Sequence, residues 1–101
     1  MTQLIDTLDE GALTTEAVRL ARGEFRLSLT GNDAESVVEL QRRTRADDAV
    51  AGSSPGDWLT VEGGAFTTDQ EVNVMNPVEG MEYRLEMTTD NGDTVVCVIE
   101  Q

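Results

Sequence analysis

The side chains that carry most protein chemistry are nearly missing from this 101-residue chain: it has no histidine and no lysine. That removes the Ser-His and Cys-His nucleophiles and the imidazole metal site. It also removes the lysine of a Schiff base or a P-loop. Cys97 is the single cysteine, set in the alternating run "TVVCVIE". It reads as a small buried hydrophobe and cannot form an internal disulfide. Carboxylates are what remain. Asp90, Asn91 and Asp93 offer oxygens of the kind calcium accepts, and so do Asp47 and Asp48. Neither group has the spacing or the distal bidentate glutamate of an EF-hand loop. Turn chemistry accounts for the first and a solvated loop for the second. Gly63-Gly64 is too short a glycine signal to cradle phosphate, and no pair of acids is singled out for acid–base work. The sequence predicts no enzyme, no cofactor and no metal site.

Two aromatic residues remain as candidates for recognition. Trp58, the only tryptophan, follows a polar loop. It is either a core anchor at a strand start or a rim aromatic facing a partner or a sugar. Tyr83 enters a strand three residues after Gly80. That placement resembles the tyrosine corner of immunoglobulin-like sandwiches, in which the hydroxyl bonds back to upstream backbone.

Charge narrows the partners. The net charge is −13, from 20 acids and seven arginines. Residues 1–50 hold ten acids and six arginines; residues 51–101 hold ten acids and Arg84 alone. A protein this acidic lacks the basic face that nucleic acid requires, and an anionic membrane surface is disfavoured for the same reason. Arginines at 19, 22 and 26 and at 42, 43 and 45 predict a sided electrostatic surface. The N-terminus lacks the basic and apolar regions of a secretory signal, and no apolar run approaches the length of a membrane span.

The elements that position these residues are strands. From Gly23 onward the apolar period is two. Phe25, Leu27 and Leu29 share one face of "EFRLSLTG", and Val38 and Leu40 share one face of "SVVELQRR". "TRADDAVAGSSPGD" is a loop. "DWLTVEGG" is a short strand with a Gly-Gly break, and Val72 and Val74 continue the pattern. In "MEYRLEM", Tyr83, Leu85 and Met87 alternate with Glu82, Arg84 and Glu86. Asn91-Gly92 then predicts a tight hairpin joining this run to "TVVCVIE". The near-continuous apolar character of that last run suits a strand covered on both faces or one at an interface. "LTTEAVRLARG" fits either a short capped helix or a strand, with the strand preferred because everything after it is β-like. Residues 1–12, with Leu4, Ile5 and Leu8 among Asp6, Asp9 and Glu10, read as an arm, either a frayed terminus or a segment that orders on a neighbouring subunit. The expectation is therefore one domain over residues 13–101. It is an all-β, antiparallel β-sandwich of about seven strands, preceded by an extended arm.

The stretches "ARGEFRLSLTG", "SVVELQRRT", "DWLTV" and "EGMEYRLEM" together resemble a pattern of small proteins from tailed bacteriophages. There a glycine precedes an aromatic strand, followed by a V-x-L-Q-R strand, a tryptophan strand and a G-x-x-Y-R strand. The resemblance spans roughly residues 21–101 and departs from the pattern in its longer loop before Trp58. It implies an immunoglobulin-like or related β-sandwich virion protein: a capsid decoration (cement) protein, a head fibre or an attachment domain. It further implies a place on the capsid surface after synthesis in the host cytoplasm, with the major capsid protein and further copies of the chain as partners, and a possible homo-oligomer. Arg42 and Arg84 match the pattern without any catalytic role. The interface candidates are Leu4, Ile5 and Leu8 of the arm together with Trp58. The alternatives are an adhesive module binding host-surface glycan through Trp58 and acidic loops, and a neck or tail connector subunit.

Overall fold

A computed structural model describes residues 2–45, 54 and 56–101; the Asp47–Asp48 pair lies outside the described residues. Among the described residues, eight strands appear in chain order: β1 (Gln3–Leu8), β2 (Val18–Leu20), β3 (Gly23–Thr30), β4 (Val37–Arg43), β5 (Trp58–Phe66), β6 (Gln70–Asn76), β7 (Met81–Thr89) and β8 (Val95–Glu100). The two-residue period explains them. Phe25, Leu27 and Leu29 of β3, and Met81, Tyr83, Leu85 and Met87 of β7, are all buried. The polar residues between them face outward, as a pleated strand requires.

The strands form two four-stranded antiparallel sheets. The first has the order β1-β8-β3-β6 and the second β2-β7-β4-β5. Phe25 of the first sheet meets Tyr83 of the second, ring centroids 4.9 Å apart. The two inner faces therefore share one core, in a β-sandwich-like arrangement. The pairing is nested: β4 with β5, β3 with β6, β2 with β7 and β1 with β8. This is the winding of an eight-stranded jelly roll. The immunoglobulin-like order and the count of about seven strands expected above are not what is found. Alternation in a sequence assigns side chains to faces, but it does not say which strand lies next to which.

Three expectations about elements are revised. The first concerns the arm: Gln3–Leu8 pairs with β8 along its whole length. Leu4 and Leu8 are buried in the core and only Ile5 is exposed, because alternate residues of a strand face opposite ways. The second concerns Asn91-Gly92, which does not close a hairpin. β7 and β8 belong to different sheets, and residues 90–94 carry the chain across the sandwich. Gly92 does adopt a positive φ of 91°, but its neighbours bond to the loop after β3. Asn91 donates from Nδ2 to the Ala34 and Glu35 carbonyls, and its N–H donates to Ser36 Oγ. The third concerns Gly63-Gly64, which makes a bulge within β5 and does not end the strand. Thr60 pairs with Gln41 and Ala65 with Glu39, so the four residues between loop out opposite Leu40. A Cβ on Gly64 would lie 2.8 Å from the Val61 carbonyl oxygen, so this position demands glycine.

The segment left between helix and strand is extended. Val18–Leu20 pairs with β7. Upstream of it, the Thr15 N–H donates to the Leu85 carbonyl, and the Leu85 N–H donates to Thr15 Oγ1. The threonine hydroxyl replaces a backbone acceptor where the ladder is interrupted.

Candidate interaction surfaces

Nothing in the described residues concentrates reactive groups. No three or more Cys, Asp or Glu among them come together in a way that could hold a metal ion. Cys97 is fully buried, and burial pushes its thiol up to about 12, with Asp6 adding to the effect. It is therefore a neutral packing group at ordinary pH. Asp93 is a structural acid. Its carboxylate accepts the Ser36 hydroxyl at 2.7 Å and the N–H groups of Ala34 and Ser36. Those bonds, the Ser36 hydroxyl first, lower its pKa below the ordinary carboxylate value. Turn and loop chemistry thus absorb the cluster around Asn91.

The outer face of the second sheet carries Trp58. Its indole lies beneath the Arg84 guanidinium, whose Cζ is 4.4 Å from the ring centroid, a cation–π distance. Arg84 is held there, donating from Nε to Gln41 Oε1 at 2.8 Å, while Gln41 Nε2 donates to Glu86 at 3.0 Å. One strand further along, Thr60 donates to Glu39. Trp58 is thus half-buried on an outward face and is no core anchor. The side chains form a fixed polar array whose members largely satisfy one another.

At the neighbouring end, Arg19, Arg43 and Arg45 line a shallow hollow with Glu79 and Glu82. Glu82 lies 3.2 Å from Arg19 and 3.5 Å from Arg43, and Arg45 donates to the Glu79 carbonyl. Of the six clustered arginines expected to make a sided surface, three meet in this hollow, and Arg19 and Arg43 share Glu82 as their ion-pair partner. Arg26 stands apart, paired with Glu71 on the outer face of the first sheet.

That outer face has a different character along β1 and β8. Ile5 is 64 % exposed and Val96 is 41 % exposed. Ile5 sits across from half-buried Val98, and Val96 lies between Thr7 and Thr30. These short β-branched side chains make a flat apolar patch on paired backbone, which has little conformational freedom to lose on docking. Of the four predicted interface residues, Ile5 joins this patch and Trp58 lies on the opposite sheet. Leu4 and Leu8 are spent on the core. Val96, Val98 and Thr30 were not singled out from the sequence. Their signal was the continuous apolar run at β8, whose interface reading fits an outward face left uncovered.

The β1 edge beside this patch is blunted. Thr2 and Gln101 exchange backbone hydrogen bonds, so the alternation of an antiparallel ladder leaves the Gln3, Ile5 and Thr7 backbone groups on the free side. Asp6 covers part of it, accepting the N–H groups of Thr7 and Glu16. An acid on a sheet edge is a known guard against strand addition.

No helix among the described residues is long and apolar enough to cross a membrane. Compared with known proteins, the chain matches no family model, no curated protein and no solved structure.

Proposed function

We propose that this chain is a non-enzymatic virion protein of tailed bacteriophages, a capsid decoration protein that binds the major capsid protein on the assembled head. The observation that carries the reading is the β-branched patch of exposed Ile5 and Val96 beside half-buried Val98 on a rigid sheet, together with an otherwise chemically quiet molecule. Viral capsid domains are among the proteins built on the jelly-roll winding, although a fold alone does not assign a function. A decoration protein stabilises a shell by binding only its assembled state, and the gain grows with occupancy of many equivalent sites. Repetition of the head surface also favours closed, symmetric contacts between copies of the chain.

The test mixes purified protein with expanded heads of the particle whose genome encodes it. The protein co-sediments with heads and raises their melting temperature. Ile5→Asp and Val96→Asp, both at exposed positions, weaken binding about tenfold or more by burying a charge in the contact. Absence of co-sedimentation by the wild type rejects the reading.

A second reading, a glycan-binding adhesive module, is favoured by the outward placement of Trp58 among Arg84, Gln41 and Thr60. On that reading Trp58→Ala abolishes binding to host cells, and head stability is indifferent to the protein.

A further inference from the structure

The core is lopsided. Among the described residues, no fully buried large apolar side chain lies on β5 or β6. Val61 and Phe66 of β5 and Val72 and Val74 of β6 only pack against the core's margin, and Met75 is 63 % exposed. These residues line a hollow between the two strands, above Leu40. A second hollow shares Val61, Glu62 and Met75 with the first and extends it past Leu59 and Pro77 to Tyr83. The sandwich is open along this side, where a sheet edge from each layer meets solvent.

The four sheet edges are not equivalent. β1 is guarded by Asp6. β2 is three residues long. β5 is kinked by its bulge at Gly63 and Gly64. β6 pairs in unbroken register over the seven residues Gln70–Asn76 along its inner side, places no charged side chain toward the hollow and is followed by Pro77. Alternate N–H and C=O groups of such an edge point away from the sheet and await a partner.

Charge identifies the occupant. Glu62 lines both hollows, Asp69 and Glu71 stand at the start of β6, and Glu24 lies across from Met75. The cations nearby are Arg26, already paired with Glu71, and Arg42 at the far end. A second copy of the chain would bring these carboxylates against their own kind, adding to the repulsion between two bodies of charge −13.

We infer that the β5–β6 side receives one extended segment of a partner protein, in which apolar residues alternate with lysine or arginine. It adds to β6 as a ninth strand, places its apolar side chains in the hollow and its basic side chains among Glu24, Glu62 and Glu71. Main-chain hydrogen bonds supply affinity and the alternate pockets supply selectivity. The inference rests on the protein-binding reading above, and it names the chemistry of one contact that this reading leaves open.

The probe is a labelled octapeptide of alternating arginine and valine, compared with its glutamate–valine counterpart. Binding is read by fluorescence anisotropy and amide chemical shifts. The basic peptide binds, shifts the β5 and β6 amides, and weakens as salt is raised; the acidic one binds at least about tenfold more weakly. Val74→Lys, which guards the edge from within, abolishes binding. Glu62→Arg, at an exposed position, weakens it several-fold even if Val74→Lys fails to fold. Shifts confined to the Ile5 face, no binding of either peptide, or peptide-free dimers joined through β6 each overturn the inference. Basic peptide bound at β6 by a protein that ignores heads rejects only the capsid reading. A folded Val74→Lys protein that binds heads like the wild type, with no peptide shift in either, rejects only the β6 contact.

Discussion

Asn76 uses every hydrogen-bonding atom of its side chain without any exposed surface. Its Nδ2 donates to the Leu20 and Ala21 carbonyls at 3.2 and 2.8 Å, and its Oδ1 accepts the Tyr83 hydroxyl and the Val78 N–H. One amide thereby ties the end of β6 to β2 and β7. Asn76→Ala leaves the buried Tyr83 hydroxyl and the Val78 N–H unserved, takes one of two bonds from each of the Leu20 and Ala21 carbonyls, and costs about 3 kcal/mol in denaturant unfolding. Tyr83 was legible from its distance to Gly80, but the expected bond to backbone is relayed through Asn76. An asparagine before proline reads as turn chemistry, and nothing local marks it as a hub. Asp93 gives a second, pH-dependent test. Its folded pKa is lowered, so its contribution is present above the ordinary value of 3.8 and disappears as pH falls through the folded value. Asp93→Asn is therefore less stable than the wild type at pH 7, and the gap closes in acid, as unfolding curves from pH 7 to 2 will register.

At the level of elements, periodicity was readable and partnership was not. The apolar faces of β3, β4 and β7 follow directly from alternate residues in the sequence. The Asn91-Gly92 dipeptide carried the strongest hairpin signal, yet bonds to residues 34–36, more than fifty positions upstream, direct the chain into the other sheet. A local turn preference worth about 1 kcal/mol yields to several such bonds acting together. The same limit applied to β1. Three apolar residues in a short acidic segment look like a loose arm until β8, some ninety residues later, provides the pairing. Removing residues 2–8 would strip the core of Leu4 and Leu8 and expose the β8 edge. The truncated protein unfolds below the wild type by tens of degrees or fails to fold. Leu8→Ala alone costs about 3 kcal/mol, read as a lowered denaturation midpoint with an unchanged slope. A truncated protein that melts like the wild type would show that β1 contributes nothing to the sandwich.

For the whole molecule, charge and topology set the behaviour. Thirteen uncompensated negative charges surround a modest core, and the ion pairs seen are exposed and individually worth little. Self-repulsion therefore opposes folding. Raising NaCl from 0.02 to 0.5 M stabilises the protein by about 1 kcal/mol, or about 5 °C at this size, through screening alone; calorimetry at the two salt levels checks it. The all-β class was visible in the sequence and the wound order of the sheets was not, because a two-residue period is satisfied equally by many strand arrangements.

The nested pairing has a consequence for how the protein comes into being. β1 waits for β8, and β2 waits for β7. The β4–β5 ribbon can close first, followed by β3–β6 and then β2–β7, each before β8 is made. Maturation then runs outward from the middle of the chain, and a nascent polypeptide stalled before β8 has every strand of one layer but leaves β1 unpaired and the β3 edge open in the other, within reach of chaperones.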